Sequence, residues 1–423
     1  MGIGVTALVT YAYFALASHA LSDSEYGRIT LLWSVVFAVT SVLYRPVEQL
    51  LSRTIADRDA RGQSGTDHLR VAATIQLALG VVFALAALVL KHPLQHGLFG
   101  GSSTLYWVMI GAVLCYAASY FARGFLAGHH LFGLYGLLVF LESSSRCAFA
   151  VVAVAEIATG QSVVALGIAA APLFSLAVVP WALRRRIRAD QADAPVVTDS
   201  TPEQAQFTLS HGAGFAGAVL LIMISEQTFL NGGPLLVKAA EGRRGEALAG
   251  FAFNVLLIAR GPLVLFQAIQ TSILPHLTKL RASGQSDPFR RSVNVTLAAI
   301  AGFAAVVALA LLAAGPEVMH LAFGEGGHYA RGGLVLVAVG MGLYLAAATL
   351  NQAALARGRT RAAAACWVGS ALAFVAVLVG PSLDNRVLQV ELAYVAGALL
   401  LCGLLYGLYR RPDVGGATGA QPG

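Results

Sequence analysis

The stretch Tyr44-Arg45-Pro46-Val47-Glu48-Gln49 lies near the end of the second long apolar segment of the chain. It places an arginine, a proline and a carboxylate where a membrane helix would be continuous. Charged groups inside a membrane are costly unless they face protein or water, so they are candidates for function. A second stretch, Ala259-Arg260-Gly261-Pro262, again places a proline after an arginine. We therefore expect Arg45 and Arg260 to belong to two related halves and to face one shared cavity.

The composition excludes a soluble protein. Of the 423 residues, 57% are hydrophobic and only 12% are charged, so too little polar surface exists to cover a soluble globule. The net charge of +7 does not indicate nucleic-acid binding, because the basic residues stand in short clusters between apolar segments. The sequence predicts a membrane protein with many spans.

Twelve segments are long and apolar enough to cross a bilayer, which takes about 20 residues. They cover residues 3–21, 28–48, 69–90, 104–122, 131–155, 162–183, 208–231, 246–272, 292–314, 331–352, 362–380 and 388–408. The predicted fold is an all-α membrane protein of about twelve transmembrane helices. Six spans on each side of one long polar connection predict two six-helix lobes related by a pseudo-twofold axis along the membrane normal.

The predicted domains are an N-terminal lobe (1–183), a cytoplasmic linker (184–206), a C-terminal lobe (207–411) and a disordered tail (412–423). Most of the basic residues fall in alternate loops, which predicts that both termini are cytoplasmic. Only three lysines occur beside many arginines, alanines and glycines, which is typical of a GC-rich bacterial genome. We therefore expect a bacterial cytoplasmic membrane protein.

The two halves share further features. In each half a glycine follows the first span, in Glu25-Tyr26-Gly27 and in Leu248-Ala249-Gly250. The prolines after the two arginines, Pro46 and Pro262, predict kinks that expose backbone groups to a cavity. The functional interpretation is an anion site, because guanidinium groups bind phosphate in a bidentate manner. In the alternative, each arginine reaches the cytoplasmic interface or pairs with a neighbour such as Glu48.

Span 5 contains Glu142 and Arg146, whose spacing of four residues predicts an ion pair on one helix face. This pair is either structural or part of a polar cavity.

Glu226 in span 7 is either a coupling carboxylate or an acid near the outer surface. The stretch Gly232-Gly233-Pro234 follows it and predicts a break and a hinge.

No sequence pattern predicts an enzyme. His-Glu-x-x-His, a P-loop and Gly-x-Ser-x-Gly are all missing, and four isolated cysteines within apolar segments form neither a metal pair nor a disulfide framework. We therefore expect no catalytic residue, no metal and no cofactor.

With these residues in view, the chain resembles the polysaccharide and lipid-linked-oligosaccharide flippases of the multidrug/oligosaccharidyl-lipid/polysaccharide exporter superfamily. The similar stretches are Leu21-Ser22-Asp23-Ser24-Glu25-Tyr26-Gly27, Ala249-Gly250-Phe251 through Arg260-Gly261-Pro262, and Leu274-Pro275-His276-Leu277. The resemblance implies two lobes that form a V opening alternately to each side. It also implies a cationic central cavity for the diphosphate of a polyprenyl-linked glycan.

Arg45 and Arg260 match the arginines that members of this family carry on spans 2 and 8. Where many members carry an acid in span 7, this chain has Gly232-Gly233, which leaves Glu226 as the substitute. The leading hypothesis is a flippase that moves a lipid-linked oligosaccharide by alternating access. Arg45, Arg260 and Arg146 would bind its phosphates, and Glu142, Glu226 and Glu48 are candidate coupling or cavity acids.

The expected partners are the lipid-linked glycan, membrane lipid and a glycan polymerase or glycosyltransferases, with no nucleic acid. The alternative hypothesis is a cation-coupled multidrug or small-molecule antiporter of the same superfamily. A membrane-embedded glycosyltransferase is disfavoured, because no large polar loop carries an acidic catalytic pair.

Overall fold

The computed structural model describes residues 2–60, 65–181, 209–242, 245–258, 286–324, 329–381, 383 and 385–411. Among them the regular structure is helical. The α-helices are α1 (Gly2–Ala20), α2 (Asp23–Leu43), α3 (Arg45–Ala60), α4 (Asp67–Val89), α5 (Ser103–Gly128), α6 (Phe132–Val154), α7 (Gln161–Ser175), α8 (Leu209–Glu241), α9 (Gly245–Ile258), α10 (Ser286–Phe323), α11 (Arg331–Ala356), α12 (Thr360–Val379) and α13 (Arg386–Arg410). The predicted linker and tail, together with Arg260 and Pro262, lie outside the described residues.

Each of the twelve predicted segments overlaps a helix, and residues 259–272 of the eighth segment lie outside the described residues. Within the described residues, ten helical segments are long and apolar enough to cross a membrane, and two shorter apolar helices are Val5–Ala20 and Gly245–Ile258. The second span is one such segment, from Asp23 to Asp59, although it is divided into α2 and α3. The prediction of an all-α fold with many spans is confirmed, and the chain is a multi-pass membrane protein.

The break between α2 and α3 occurs where the sequence predicted it. Tyr44 leaves the helix at φ −105° and ψ −26°, and its N–H still donates to the carbonyl of Thr40 at 2.9 Å. Pro46 follows as the second residue of α3, where a missing N–H is tolerated because the first helical turn leaves its donors unpaired. The proline therefore ends one helix and begins the next.

The predicted end of this span near residue 48 was wrong, because α3 continues to Ala60. Val47, Leu51 and Ile55 are buried at a spacing of four residues, and they pack with side chains of α5. This apolar face stabilises the helix beyond the point at which its overall hydrophobicity falls. The segment predicted as a cytoplasmic loop thus begins as an amphipathic helix.

The break predicted at Gly232-Gly233-Pro234 was also wrong, since α8 runs through this stretch to Glu241. Both glycines are buried instead against other helices. A Cβ on Gly233 would come within 2.6 Å of Leu256 in α9, and one on Gly232 would lie 3.4 Å from Phe374 in α12. The glycines therefore allow close helix packing, and their role as a hinge stays a prediction.

Most packing occurs within two groups of helices, which form the two lobes. In the first lobe α1 packs on α6, α6 on α7, and α3 on α5. In the second lobe α11 packs on α13, α10 on α11, and α8 on α12. The lobes meet where α2 contacts α8 and where α1 contacts α10. An interface of few helices between two well-packed lobes suits lobes that move as units.

The backbones of the two lobes are in direct contact where α2 crosses α9. A Cβ on Gly27 would overlap the backbone carbonyl of Glu246, and one on Gly250 would lie 3.1 Å from the Cα of Gly27. The rings of Phe14 in α1 and Phe253 in α9 also meet, with their centroids 4.6 Å apart. The predicted topology assigns this end of the bundle to the outside, and we call it the predicted outer end.

Polar contacts add to this closure. The carboxylate of Glu246 accepts from Lys238 Nζ of its own lobe at 2.8 Å and lies 3.3 Å from Arg28 Nε of the other lobe. Close by, the hydroxyl of Tyr26 donates to Asn254 Oδ1. The predicted outer end is therefore closed by glycine packing, an aromatic contact and a shared carboxylate.

Candidate functional site

Arg45 of the first lobe lies near Glu226 of the second lobe. Arg45 begins α3, Glu226 lies in the middle of α8, and the two side chains are close enough to interact electrostatically. Both are partly buried, and among the described residues neither side chain has a hydrogen bond. Tyr344 of α11 is near both charges. That Arg45 and Arg260 face one shared cavity stays a prediction, because Arg260 lies outside the described residues.

Glu48 lies one turn after Arg45 and accepts a hydrogen bond from the hydroxyl of Tyr135 at 3.1 Å. It is also close enough to Arg45 and Arg123 for electrostatic interaction. The alternative expectation, that Glu48 compensates the charge of Arg45, is therefore compatible with the structure. Glu48 and Glu226 together place two acids around one guanidinium.

The predicted ion pair of Glu142 with Arg146 was wrong. The carboxylate of Glu142 is 2% exposed, and it accepts from Arg123 of α5 and from the hydroxyl of Ser119. The predicted span ended at residue 122, but α5 continues past Arg123 to Gly128. Its guanidinium also lies over the ring of Tyr120, 4.7 Å from the centroid. Glu142 and Arg123 thus form a buried pair inside the first lobe.

Arg146 is 4% exposed and makes neutral contacts instead. Its Nη1 donates to the Tyr116 hydroxyl at 2.7 Å, and its Nη2 donates to Ser143 Oγ at 2.8 Å. The guanidinium lies 4.9 Å from the ring centroid of Trp33, which is a cation–π contact. Arg146 is therefore held inside the first lobe, and its predicted role in phosphate binding stays a prediction.

A cleft of about 640 Å³ lies between the lobes, and we call it the central cleft. Apolar side chains of α2, α4, α8 and α12 form most of its wall, including Val39, Val42 and Phe83. Its polar side chains are neutral: Gln227 and Asn231, which are joined by a hydrogen bond of 2.8 Å, and Thr228. No charged residue lines it within the described part of the chain. The cleft suits an amphipathic ligand.

Sequence reasoning missed Gln227 and Asn231, although both stand in the predicted span 7. Polar residues four apart in an apolar segment share one helix face, and that spacing was a usable signal. It also missed the role of Arg123 and the lobe-joining carboxylate of Glu246. Among the described residues no group of three or more histidines, cysteines or acids could hold a metal ion.

Comparisons with known proteins agree on the fold. No family model matches the chain. Uncharacterized proteins of Mycobacterium tuberculosis (strain ATCC 25618 / H37Rv) and of Mycobacterium bovis are each 26% identical over 421 residues, covering 96% of this chain and 88% of theirs.

Among solved structures, the inward-facing conformation of a multidrug resistance MATE family transporter of the MOP superfamily matches with a TM-score of 0.67 and 15% identity, covering 96% of this chain and 94% of that chain. An outward-facing MATE transporter of the same superfamily matches with a TM-score of 0.59 and 16% identity, covering 97% and 93%. The chain therefore has the two-lobe fold of the MATE transporters. Its match to the inward-facing structure has the higher score, and its own predicted outer end is closed.

Proposed function

We propose that this protein is a membrane transporter that moves amphipathic small molecules by exposing the central cleft alternately to the two sides of the membrane. This is the alternative that the sequence analysis left open. The observation that carries it is the central cleft itself, which is apolar, is lined from both lobes and contains only neutral polar groups among the described residues. Its volume of about 640 Å³ falls in the range that binds drug-sized molecules.

The two-lobe fold with one closed end supports transport by alternating access. A site between two lobes becomes accessible from one side at a time when the lobes rock about it. The contacts of Gly27 with Glu246 and Gly250 close one end. Opening that end requires the shared carboxylate of Glu246 to separate from Arg28.

The charges near Arg45 also favour this proposal over a phosphate clamp. Arg45, Arg123 and Arg146 carry three positive charges, and Glu48, Glu142 and Glu226 carry up to three negative charges in the same interacting group. A diphosphate binds where positive charge is in excess. Within the described residues this group offers no such excess.

Glu226 is the acid that we assign to coupling. It stands in the lobe opposite Arg45, so its negative charge attracts the two lobes to each other. A proton on Glu226 would remove that attraction. Protonation would thereby favour separation of the lobes at this level of the bundle.

A second candidate is the flippase of lipid-linked oligosaccharides. The observation that favours it is the partly exposed guanidinium of Arg45, which forms no hydrogen bond with another described residue and so has donors available for an anion. This candidate predicts that Arg45→Ala abolishes surface glycan in a strain that depends on the protein.

Filling the central cleft is expected to stop transport of small molecules. Val39→Trp adds a large ring to the wall on the α2 side, so an amphipathic molecule loses its binding space. We expect a drug-sensitive bacterial host that expresses the variant to be as sensitive to ethidium as the empty host. The measurement is the inhibitory concentration of ethidium at matched protein levels in the membrane.

The matched control is Val306→Trp, because Val306 lies on α10, is 64% exposed and does not line the central cleft. We expect this variant to protect the host as well as the wild type. Equal protection by Val39→Trp and the wild type would show that the central cleft is not the route.

A further inference from the structure

A second pocket, of about 380 Å³, lies between the lobes at the predicted outer end, apart from the central cleft. We call it the outer pocket. Its wall combines residues of the first lobe near the α1–α2 connection with residues of α9, α11 and α13 in the second lobe. Any molecule bound there would contact both lobes while this end is closed.

The charged groups that line the outer pocket are both acids. Asp23 in the first turn of α2 is exposed at its entrance, and Glu391 of α13 is 4% exposed at its inner side. The described lining contains neither lysine, arginine nor histidine. The nearby Arg28 and Lys238 contact Glu246, and Arg386 in the first turn of α13 contacts Glu241, so these cations are already compensated.

Glu391 has no hydrogen-bond partner among the described residues, although it is almost completely buried. A buried carboxylate is unfavourable unless a cation or hydrogen-bond donors compensate it. Gly333 makes room for it, because a Cβ there would overlap both carboxylate oxygens. Gly333 is the third residue of α11, and the positive end of that helix favours a negative charge beside it. Burial without a cation or a described donor disfavours the ionised form, so a bound cation would supply the counter-charge that Glu391 lacks.

The rest of the lining is rich in aromatic side chains. Tyr26, Phe251, Phe323 and Tyr329 all line the outer pocket. The rings of Phe251 and Tyr329 are stacked with centroids 4.4 Å apart, and Asp23 interacts electrostatically with Tyr329. Aromatic rings combined with carboxylates bind alkylated ammonium groups, because ring faces attract a cation that carries little hydration.

We propose that the outer pocket binds an organic ammonium cation, with Glu391 as its buried counter-ion, Asp23 as the acid at the entrance and the aromatic rings around its alkyl groups. Because the bound cation contacts both lobes, it stabilises the closed form of the predicted outer end. This site is separate from the central cleft and does not depend on which molecule that cleft carries.

The test is binding of choline to the purified full-length protein in detergent, measured by calorimetry and by the shift in thermal unfolding temperature. Its uncharged isostere, 3,3-dimethylbutan-1-ol, has the same shape without the charge. We expect choline to bind and to raise the unfolding temperature, and the alcohol to do neither. Glu391→Gln keeps the shape of the side chain and is expected to weaken choline binding at least about tenfold.

The control is Glu156→Gln, which removes an exposed acid outside the outer pocket and is expected to bind choline as the wild type does. If Glu391→Gln fails to fold, Asp23→Asn replaces it, because Asp23 is exposed and its loss should also weaken binding. Equal binding of choline and the alcohol, or unchanged choline binding by the folded variant, would overturn the proposal. Failure of the wild-type protein to bind choline would also overturn it, and would indicate that Glu391 is protonated and is not a counter-ion.

Discussion

Gly27→Ala is expected to block transport while leaving the protein folded. The added methyl group would overlap the backbone carbonyl of Glu246, and neither backbone can move away without opening the contact between α2 and α9. Overpacking of this kind costs about 1–3 kcal/mol, and here the cost falls only on the form in which the predicted outer end is closed. A change of that size shifts a two-state equilibrium roughly 5- to 150-fold.

The direct readout is the accessibility of a cysteine placed at the closed end. Asn254→Cys in a background without the four native cysteines puts a thiol beside Tyr26, where it is buried in the closed form. We expect a membrane-impermeant thiol reagent to label this cysteine slowly, and to label it much faster when Gly27→Ala is added. Equal labelling rates in the two backgrounds would contradict the role of Gly27 in closure.

Gly111→Ala is the matched control, because Gly111 is also a glycine within a helix and a Cβ there would have no neighbour within 4 Å. Alanine is the better helix former, so this variant should be as stable as the wild type or slightly more stable. It should leave transport and cysteine labelling unchanged. A defect in both variants would indicate a general effect of replacing helix glycines.

Arg123→Met is expected to be the most destabilising single substitution in the first lobe. It leaves the buried carboxylate of Glu142 without its cation, and among the described residues the hydroxyls of Ser119 and, at 3.5 Å, Ser175 remain as neutral donors. Removing one partner of a buried ion pair costs about 3–5 kcal/mol. The measurement is unfolding of the purified protein in detergent, by heat or denaturant.

Two further variants test whether the loss of stability comes from the unpaired charge of Glu142. The double variant Arg123→Met with Glu142→Gln removes both charges and should recover most of the lost stability, because the unpaired charge is the main cost. Arg331→Met breaks the pair with Glu317 instead, whose side chains are 52% and 60% exposed, and should leave stability unchanged. A double variant no more stable than Arg123→Met would contradict the account of the buried pair.

The length and hydrophobicity of the segments were sufficient to predict the helical fold, because a helix needs about 20 mostly apolar residues to cross a bilayer. The break at Tyr44 was predictable for a local reason, because proline lacks an N–H wherever it stands. In contrast, the sequence did not predict that α3 and α8 continue past the ends expected for them. Whether the helix continues at Leu51 and at Gly233 depends on the helices against which these residues pack. A single sequence does not show those packing partners.

The partners of Glu142 and Arg146 were mispredicted for the same reason, since a single sequence does not show which helices pack together. The spacing of Glu142 and Arg146 permits a pair on one helix, but each side chain found a partner on α5, Arg123 for the first and Tyr116 for the second. Gly27 and Gly250 were recognised as corresponding residues of two halves, although nothing in the pattern indicated that they contact each other. The sequence did not identify Glu391 as a candidate site residue, because a single acid near the end of a span is typical of the membrane interface.

The most direct test of the central claim is transport by the purified protein in liposomes. Ethidium uptake is followed by the fluorescence of DNA enclosed in the vesicles, with a pH gradient imposed across the membrane. We expect saturable uptake that the wild type supports and Val39→Trp does not. Uptake by wild-type vesicles that is no faster than by protein-free vesicles, at verified insertion and with the gradient in either direction, would contradict the proposed transport of amphipathic small molecules.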